Sequence, residues 1–192
     1  NSTMAINPHL YSKLPFDPIR DFAAVSMIFT NANVLVVNAS SPVRSVKDLI
    51  AYAKANPGKV NYGSAGNGST PHLSGEMFRQ LTGAPVVHVP YKGSGPAIVD
   101  LLGGQIDFLF VDTSVLPQVR SGKLRALAVT GRTRPGAAPE LRTMEEEGVK
   151  GFVVDTWYSI CAPAGTPPEA VKRLNAEIAK MADGQWWQYP RF

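Results

Sequence analysis

Tyr62-Gly63-Ser64-Ala65-Gly66-Asn67-Gly68-Ser69-Thr70-Pro71-His72 decides how this chain is read, and Val89-Pro90-Tyr91-Lys92-Gly93-Ser94-Gly95-Pro96-Ala97 repeats its logic further along. In each stretch a short strand-like run gives way to glycines and hydroxyl residues. A proline then marks a helix start, because its fixed φ suits the first turn and its missing N–H is not needed there. Each stretch is therefore a strand, a loop and a helix N-terminus. Glycines permit positive φ and close backbone approach, and a helix N-terminus presents free N–H groups with a partial positive charge; together they favour a carboxylate or phosphate. Tight packing of helix on strand would select some of the same glycines, so one loop leaves both readings open. Two such loops, at the C-terminal ends of predicted parallel strands where α/β sheets bind ligands, favour an anion site.

Working outward, Val34-Leu35-Val36-Val37 reads as a strand. Ser45 can cap a helix from Val46 to about Ala55, with Asp48 as capping-box partner and Val46, Leu49, Ile50 and Ala53 on one face; Asn56-Pro57-Gly58 ends it. After the strand Lys59 to Tyr62, Thr70 as N-cap and Pro71 at the first helical position open a helix with the apolar stripe Leu73, Met77, Phe78 and Leu81, stopped at Gly83. The strand Val86 to Val89 precedes a helix begun by Pro96 and running through Leu102. Ile106 to Val111 and Leu124 to Val129 are further strands. Alternation at this spacing predicts an α/β core from about Asn38 to Ala128, a mostly parallel sheet covered on both faces, because parallel strands need a crossover element. Residues 1 to 24 read as turn-rich, since Asn7-Pro8, Leu14-Pro15 and Asp17-Pro18 push the preceding residues out of the helical region. Trp157 to Ala162 reads as a buried strand and Pro168 to Met181 as a helix, both expected to pack with residues 1 to 35 as a second lobe. The tail Gln185 to Phe192 has no helix or strand period.

Composition narrows the function classes. At 192 residues, 44% hydrophobic and 18% charged, the chain is neither disordered, collagenous nor coiled coil. A net charge of +4 with no long run of like charge is too mild for nucleic acid; it is compatible with a small anionic ligand and equally with solubility alone. The single cysteine, Cys161, excludes an internal disulfide and a thiolate metal cluster, and within the 157–162 run it reads as an inert core thiol. His9, His72 and His88 lack metal-ligand spacing. There is no apolar run long enough to span a bilayer and no secretory-signal pattern. The chain begins at Asn1 without an initiator methionine, which leaves room for an upstream segment.

Catalytic patterns are incomplete. Gly63 and Gly68 have P-loop spacing, but Ser69 stands where the phosphate-binding lysine is needed; Gly66 and Gly68 fail the dinucleotide fingerprint because Pro71 replaces its third glycine. Ser64, His72 and Asp112 are the residue types of a hydrolase triad, yet Ser64 is not in a G-x-S-x-G elbow. Glu145-Glu146-Glu147 after Thr143 reads as a helix N-terminus. Lys92 is either a charge partner for a ligand or a solvated loop residue. Asp112 could orient a ligand amine or hydroxyl, although a helix cap is slightly favoured.

In order along the chain, these loops resemble the tripartite tricarboxylate transporter receptor family, the Bug or TctC-type solute-binding proteins. The matching stretches are Ala5 to Tyr11, Lys13 to Pro18, Tyr62 to Ser69, His88 to Gly93, Asp100 to Gln105, Gly122 to Thr130 and Ala162 to Pro167, covering about residues 1 to 182. The resemblance implies a type II periplasmic-binding-protein-like α/β fold of two lobes, with mostly parallel sheets covered by helices. Residues 1–37 would form part of an outer lobe, 38–129 the inner lobe and 130–182 the return to the outer lobe, with 183–192 unassigned. The chain would cross between lobes near Val36 to Asn38 and Val129 to Gly131. A ligand carboxylate would be held between the lobes by Ser64, Gly66, Gly68 and Ser69 from the first loop, Lys92, Gly93 and Ser94 from the second, Asp112 for selectivity, and Ser2 and Thr3 from the outer lobe. The resemblance implies no catalytic residue, metal or cofactor. It implies a monomer in the periplasm that hands a dicarboxylate, amino acid or aromatic acid to permease subunits, with no nucleic acid and no membrane insertion. The family's first strand, glycine-rich loop and helix precede the Ser2-Thr3 position and are not in this sequence, and residues after about Met181 do not match its closing helices. The outer lobe is therefore expected to be incomplete, and this polypeptide to be a fragment or a poor binder. The alternative is an α/β enzyme using the Gly63 to Thr70 loop to hold a phosphorylated substrate.

Overall fold

The computed structural model describes residues 2–181. After a helical turn over Ser2–Ile6, the elements in chain order are α1 (Asn7–Leu10), β1 (Phe22–Ala32), β2 (Val34–Asn38), α2 (Val46–Ala55), β3 (Val60–Ser64), α3 (Thr70–Thr82), β4 (Val86–Pro90), α4 (Ser94–Leu102), β5 (Phe108–Val111), α5 (Leu116–Arg120), β6 (Leu124–Val129), β7 (Asp155–Pro163) and α6 (Pro168–Lys180). They divide into two compact units, one of Asn31–Thr156 and the other of Asn1–Thr30 with Trp157–Phe192.

The 31–156 unit is an α/β layer around a five-stranded sheet of order β4-β3-β5-β2-β6. β3 pairs parallel with both β4 and β5, as the strand–helix alternation predicts. β2 departs from the expected parallel arrangement, because it pairs antiparallel with β5 (Val34 opposite Val111) and with β6 (Val34 opposite Val129). The reason is its connection. β2 follows β1 through Asn33 alone, without the crossover helix that parallel entry would require. Its side chains alternate between two cores. Leu35 and Val37 join Leu49, Tyr62, Phe78 and Phe108 under α2 and α3, while Val34 and Val36 join Ala97, Leu101 and Leu109 under α4.

Helix starts follow local chemistry with small offsets. Ser45 Oγ accepts the Asp48 N–H at 3.1 Å, but Asp48 reaches back to the Arg44 N–H, one residue short of a capping box. α3 is capped by Ser69, whose Oγ accepts the His72 N–H at 3.4 Å, so Thr70 is the first helical residue and Pro71 the second. α4 begins at Ser94 with Gly93 as N-cap, which makes Pro96 its third residue; proline still fits there because first-turn N–H groups are unbonded anyway. The expected stripe on α3 is rotated: Leu81 is 44% exposed, and the buried face is Thr70, Ser74, Gly75 and Phe78. Small residues let the helix press against the ring of Tyr62. Thr143 and Glu146 exchange the two reciprocal bonds of a capping box, 3.2 and 2.8 Å, yet no helix follows, because Gly148 at φ +94° turns the chain away. Glu146 instead pairs with Arg134 at 2.9 Å, and this guanidinium holds its carboxyl down to about 2.

The other unit pairs β1 with β7 in a two-stranded sheet. α6 is tied to it by Asn175 Nδ2, which donates to the Val25 carbonyl at 2.7 Å. β7 is not the buried strand the sequence suggests: Tyr158 is 43% exposed and stacks on Phe29 at 4.5 Å between ring centroids, and Cys161 is only half-buried. A two-stranded sheet has little apolar surface around it to bury such residues. The turn-rich 1–24 stretch also contains α1, with Pro8 in its first turn. No helix among the described residues is long and apolar enough to cross a membrane.

The contact between α3 and Tyr62 gives a test. Glycine to alanine usually stabilises a helix interior by about 0.5–1 kcal/mol. At Gly75 the new methyl would collide with Tyr62 Cε2 and Cζ, and that ring is fully buried and stacked on Phe108 at 5.5 Å. Gly75→Ala is therefore expected to lower stability by about 1–3 kcal/mol, the cost of overpacking a filled core. Urea denaturation measures it, and a stabilised variant would contradict this packing.

Candidate functional site

Parallel pairing of β3 and β4 sets Ser64 opposite Pro90, and the Tyr91 N–H donates to the Ser64 carbonyl at 3.0 Å. The two glycine-rich loops therefore leave the sheet side by side, at its carboxyl edge. Gly66, at φ +121°, passes so close that a Cβ there would lie 3.3 Å from the Tyr91 carbonyl oxygen.

The first loop satisfies many of its own donors. The Gly66 N–H donates to Ser64 Oγ at 3.1 Å, the Gly68 N–H to His72 Nδ1 at 3.1 Å, and the Ser69 N–H to the Gly66 carbonyl at 3.2 Å, which also accepts from Ser69 Oγ at 2.7 Å. The expectation that both loops present free amides is thus corrected for these three. The cause is two side chains, Ser64 and His72, that fold back into the loop, and a turn that brings the Gly66 carbonyl to the Ser69 N–H. The second loop is different. Gly93, the N-cap of α4 at φ +112°, has no side chain to offer, so the first turn of that nine-residue helix lacks a side-chain cap. Electrostatic attraction for an anion is concentrated there, beside half-buried Gly93 and Ser94 and exposed Lys92.

Asp112 follows β5 at the same edge. Its Oδ1 accepts the Ser114 N–H at 2.8 Å and caps the 3₁₀ turn Thr113–Val115, the role favoured from sequence. Ser2 and Thr3 belong to the opening helical turn, and their side chains lie outside the described residues.

The triad types do not assemble among the described residues: Asp112 caps the turn after β5 and bonds to neither His72 nor His88. Ser64 Oγ meets His88 Nε2 at 2.7 Å, while His72 spends its Nδ1 on the Gly68 amide. His88 was not among the residues the sequence singled out. Its contact follows from register, since parallel pairing puts it opposite Tyr62 and two residues before Pro90, which faces Ser64. The His72 and His88 rings stack at 4.1 Å, and Tyr62 stacks on His88 at 5.0 Å while donating its hydroxyl to Glu76 Oε1 at 2.9 Å. Ser64 is fully buried, so this serine is a strut of the loop and not an exposed nucleophile. Two surface depressions, one around Tyr11, Phe16 and Arg20 and one around Met27, Trp157 and Ile160, contain none of the candidate residues.

Residues 1–185 match the family model described as the tripartite tricarboxylate transporter family receptor. The chain belongs to that family. It is 39% identical over 179 residues to the protein BugT of Bordetella pertussis, covering 93% of this chain and 55% of BugT. The R. palustris protein Rpa4515, solved with adipate, shares 40% identity with a TM-score of 0.84, over 88% of this chain and 57% of that one. MatC from Rhodopseudomonas palustris, solved with bound malate, shares 28% identity with a TM-score of 0.85, over 96% of this chain and 63% of that one. The resemblance drawn from the loop motifs therefore holds, as does the α/β periplasmic-binding-protein-like fold. This chain spans about half the length of the curated relatives it matches.

In this receptor-family chain the histidine stack has a pH signature. Burial, with His72 alongside, lowers the His88 pKa from 6.5 to about 4, against an opposing pull from Glu76. The fold thus prefers neutral His88, and the unfolded chain takes up the proton first as pH falls. The stability this contributes is complete above pH 6.5 and is lost progressively as pH falls towards about 4. Melting temperatures followed from pH 7 to 4 are expected to fall more steeply for wild type than for His88→Gln; equal slopes would show that His88 is not held neutral.

Proposed function

We propose that this chain is part of a periplasmic solute-binding receptor that captures a small carboxylate and delivers it to the permease subunits of a tripartite tricarboxylate-type transporter. The receptor acts as a monomer, catalyses nothing and needs no cofactor.

The observation that carries this is the pair of loops leaving adjacent parallel strands at one sheet edge, with an uncapped α4 N-terminus in the second. A carboxylate set there satisfies the first-turn N–H donors and is favoured by the helix dipole, an arrangement that binds without bond-making chemistry. Gly93 and Ser94 supply backbone donors, Ser94 a hydroxyl and Lys92 a cation. In the first loop, Ser64, Gly66, Gly68 and Ser69 shape the neighbouring wall, since their internal bonds fix where the backbone runs. Asp112 tunes selectivity. Family membership and the adipate and malate of two neighbours support carboxylates as the ligand class.

Ser94→Glu tests the site, because a carboxylate at the first helical position favours the helix while repelling a second anion. In calorimetric titrations of the full-length receptor, adipate and malate are the probes and inorganic phosphate the control. The variant is expected to bind the preferred dicarboxylate at least tenfold more weakly without melting earlier. Undiminished affinity would remove α4 from the site, and phosphate binding with turnover of a phosphorylated substrate would favour an enzyme.

A further inference from the structure

Asn33 is the residue through which β1 passes into β2, and it holds a buried donor that the protein leaves unused. The residue is 3% exposed, and its Nδ2 has no hydrogen-bond partner. Native proteins leave few such groups, and each calls for an explanation such as a water, an ion or a functional partner. The backbone of Asn33 needs no help from this side chain. Its N–H donates to Thr130 Oγ1 at 2.9 Å, and its carbonyl accepts the Thr130 N–H at 2.8 Å.

Register fixes where this donor lies. β2 pairs antiparallel with β5 at Val34 opposite Val111, so one step outward sets Asn33 beside Asp112; on the β6 side the same step meets Thr130. Because β2 runs opposite to its neighbours, its beginning shares an edge with the ends of β4, β3 and β5. Along that edge stand the second loop, the first loop, Asp112 and Asn33. With strands about 4.8 Å apart, Asn33 is roughly 10 Å from the root of the first loop and about 14 Å from that of the second. An extended dicarboxylate of adipate's length, with a hydrogen bond of about 2.9 Å at each end, spans the longer of these distances. Among the described residues two other buried polar atoms lack partners, Ser74 Oγ and Gln118 Oε1, but they belong to α3 and α5 and not to the edge.

We propose that Asn33 is a specificity-determining ligand contact, its buried amide donating to an oxygen at the far end of a ligand whose first carboxylate is held at α4. This rests on the carboxylate-receptor reading above and sharpens it. A donor at this position accepts a second carboxylate, carbonyl or hydroxyl oxygen and opposes an ammonium, so the site favours dicarboxylates over amino acids. A ligand with an apolar far end leaves the amide unpaired and is selected against.

Titration of the full-length receptor with adipate and with hexanoate, the same chain lacking one carboxylate, tests this. Asn33→Ala is expected to weaken adipate at least tenfold and hexanoate less than twofold. The ligand-free melting temperature should stay level or rise, because no protein partner of Nδ2 is lost. Asn33→Asp, which sets a charge against the second carboxylate, should weaken adipate further. Unchanged adipate affinity, or an earlier melting point with equal loss for both ligands, would overturn the assignment and leave Asn33 a structural residue. If hexanoate is too weak to measure, the melting comparison decides between the two. Wild type that binds neither adipate nor malate would overturn the carboxylate reading itself, and this inference with it.

Discussion

The parallel pairing of β3 with β4 is the constraint on which the rest depends. Two strands can run parallel and adjacent only if the chain between them crosses back over the sheet, and α3 is that crossover. The same geometry brings both carboxyl ends, and so both glycine-rich loops, to one edge. It also sets the register in which His88 lies near Ser64 and Tyr62. Gly75 is what lets α3 close over Tyr62, so the loop-bearing edge and the core beneath it are specified together.

Division of labour between the loops follows from their side chains. The first has Ser64 and His72 folded inward and is held in shape by its own hydrogen bonds. The second has glycine where a cap would stand and keeps the first turn of its helix without a side-chain acceptor. A rigid wall next to an unsatisfied helix end is a pre-organised way to bind an anion, since little conformational freedom is lost when the ligand arrives.

What the sequence made legible was local. The start of α2 was readable because Ser45 is a strong cap, and its end because Asn56-Pro57-Gly58 breaks a helix. At α3, Ser69 and Thr70 are both competent caps, and nothing nearby tells which hydroxyl takes the bond. The antiparallel sense of β2 was hidden because its partners lie far away in the chain. The exposure of β7 was hidden because an apolar run looks the same whether or not another layer covers it. His88 and Asn33 escaped for a related reason: each matters through a strand register or an unpaired atom, and neither is visible before the sheet is assembled.

Thr130 has a consequence for which changes this chain can absorb. Its single hydroxyl accepts from the Asn33 backbone N–H and donates to the Val154 carbonyl at 2.6 Å, while its own backbone bonds to both residues. Three distant segments are laced at one oxygen atom. Valine, nearly identical in shape, would leave two buried backbone groups stranded, so only serine could replace this threonine without loosening all three threads at once.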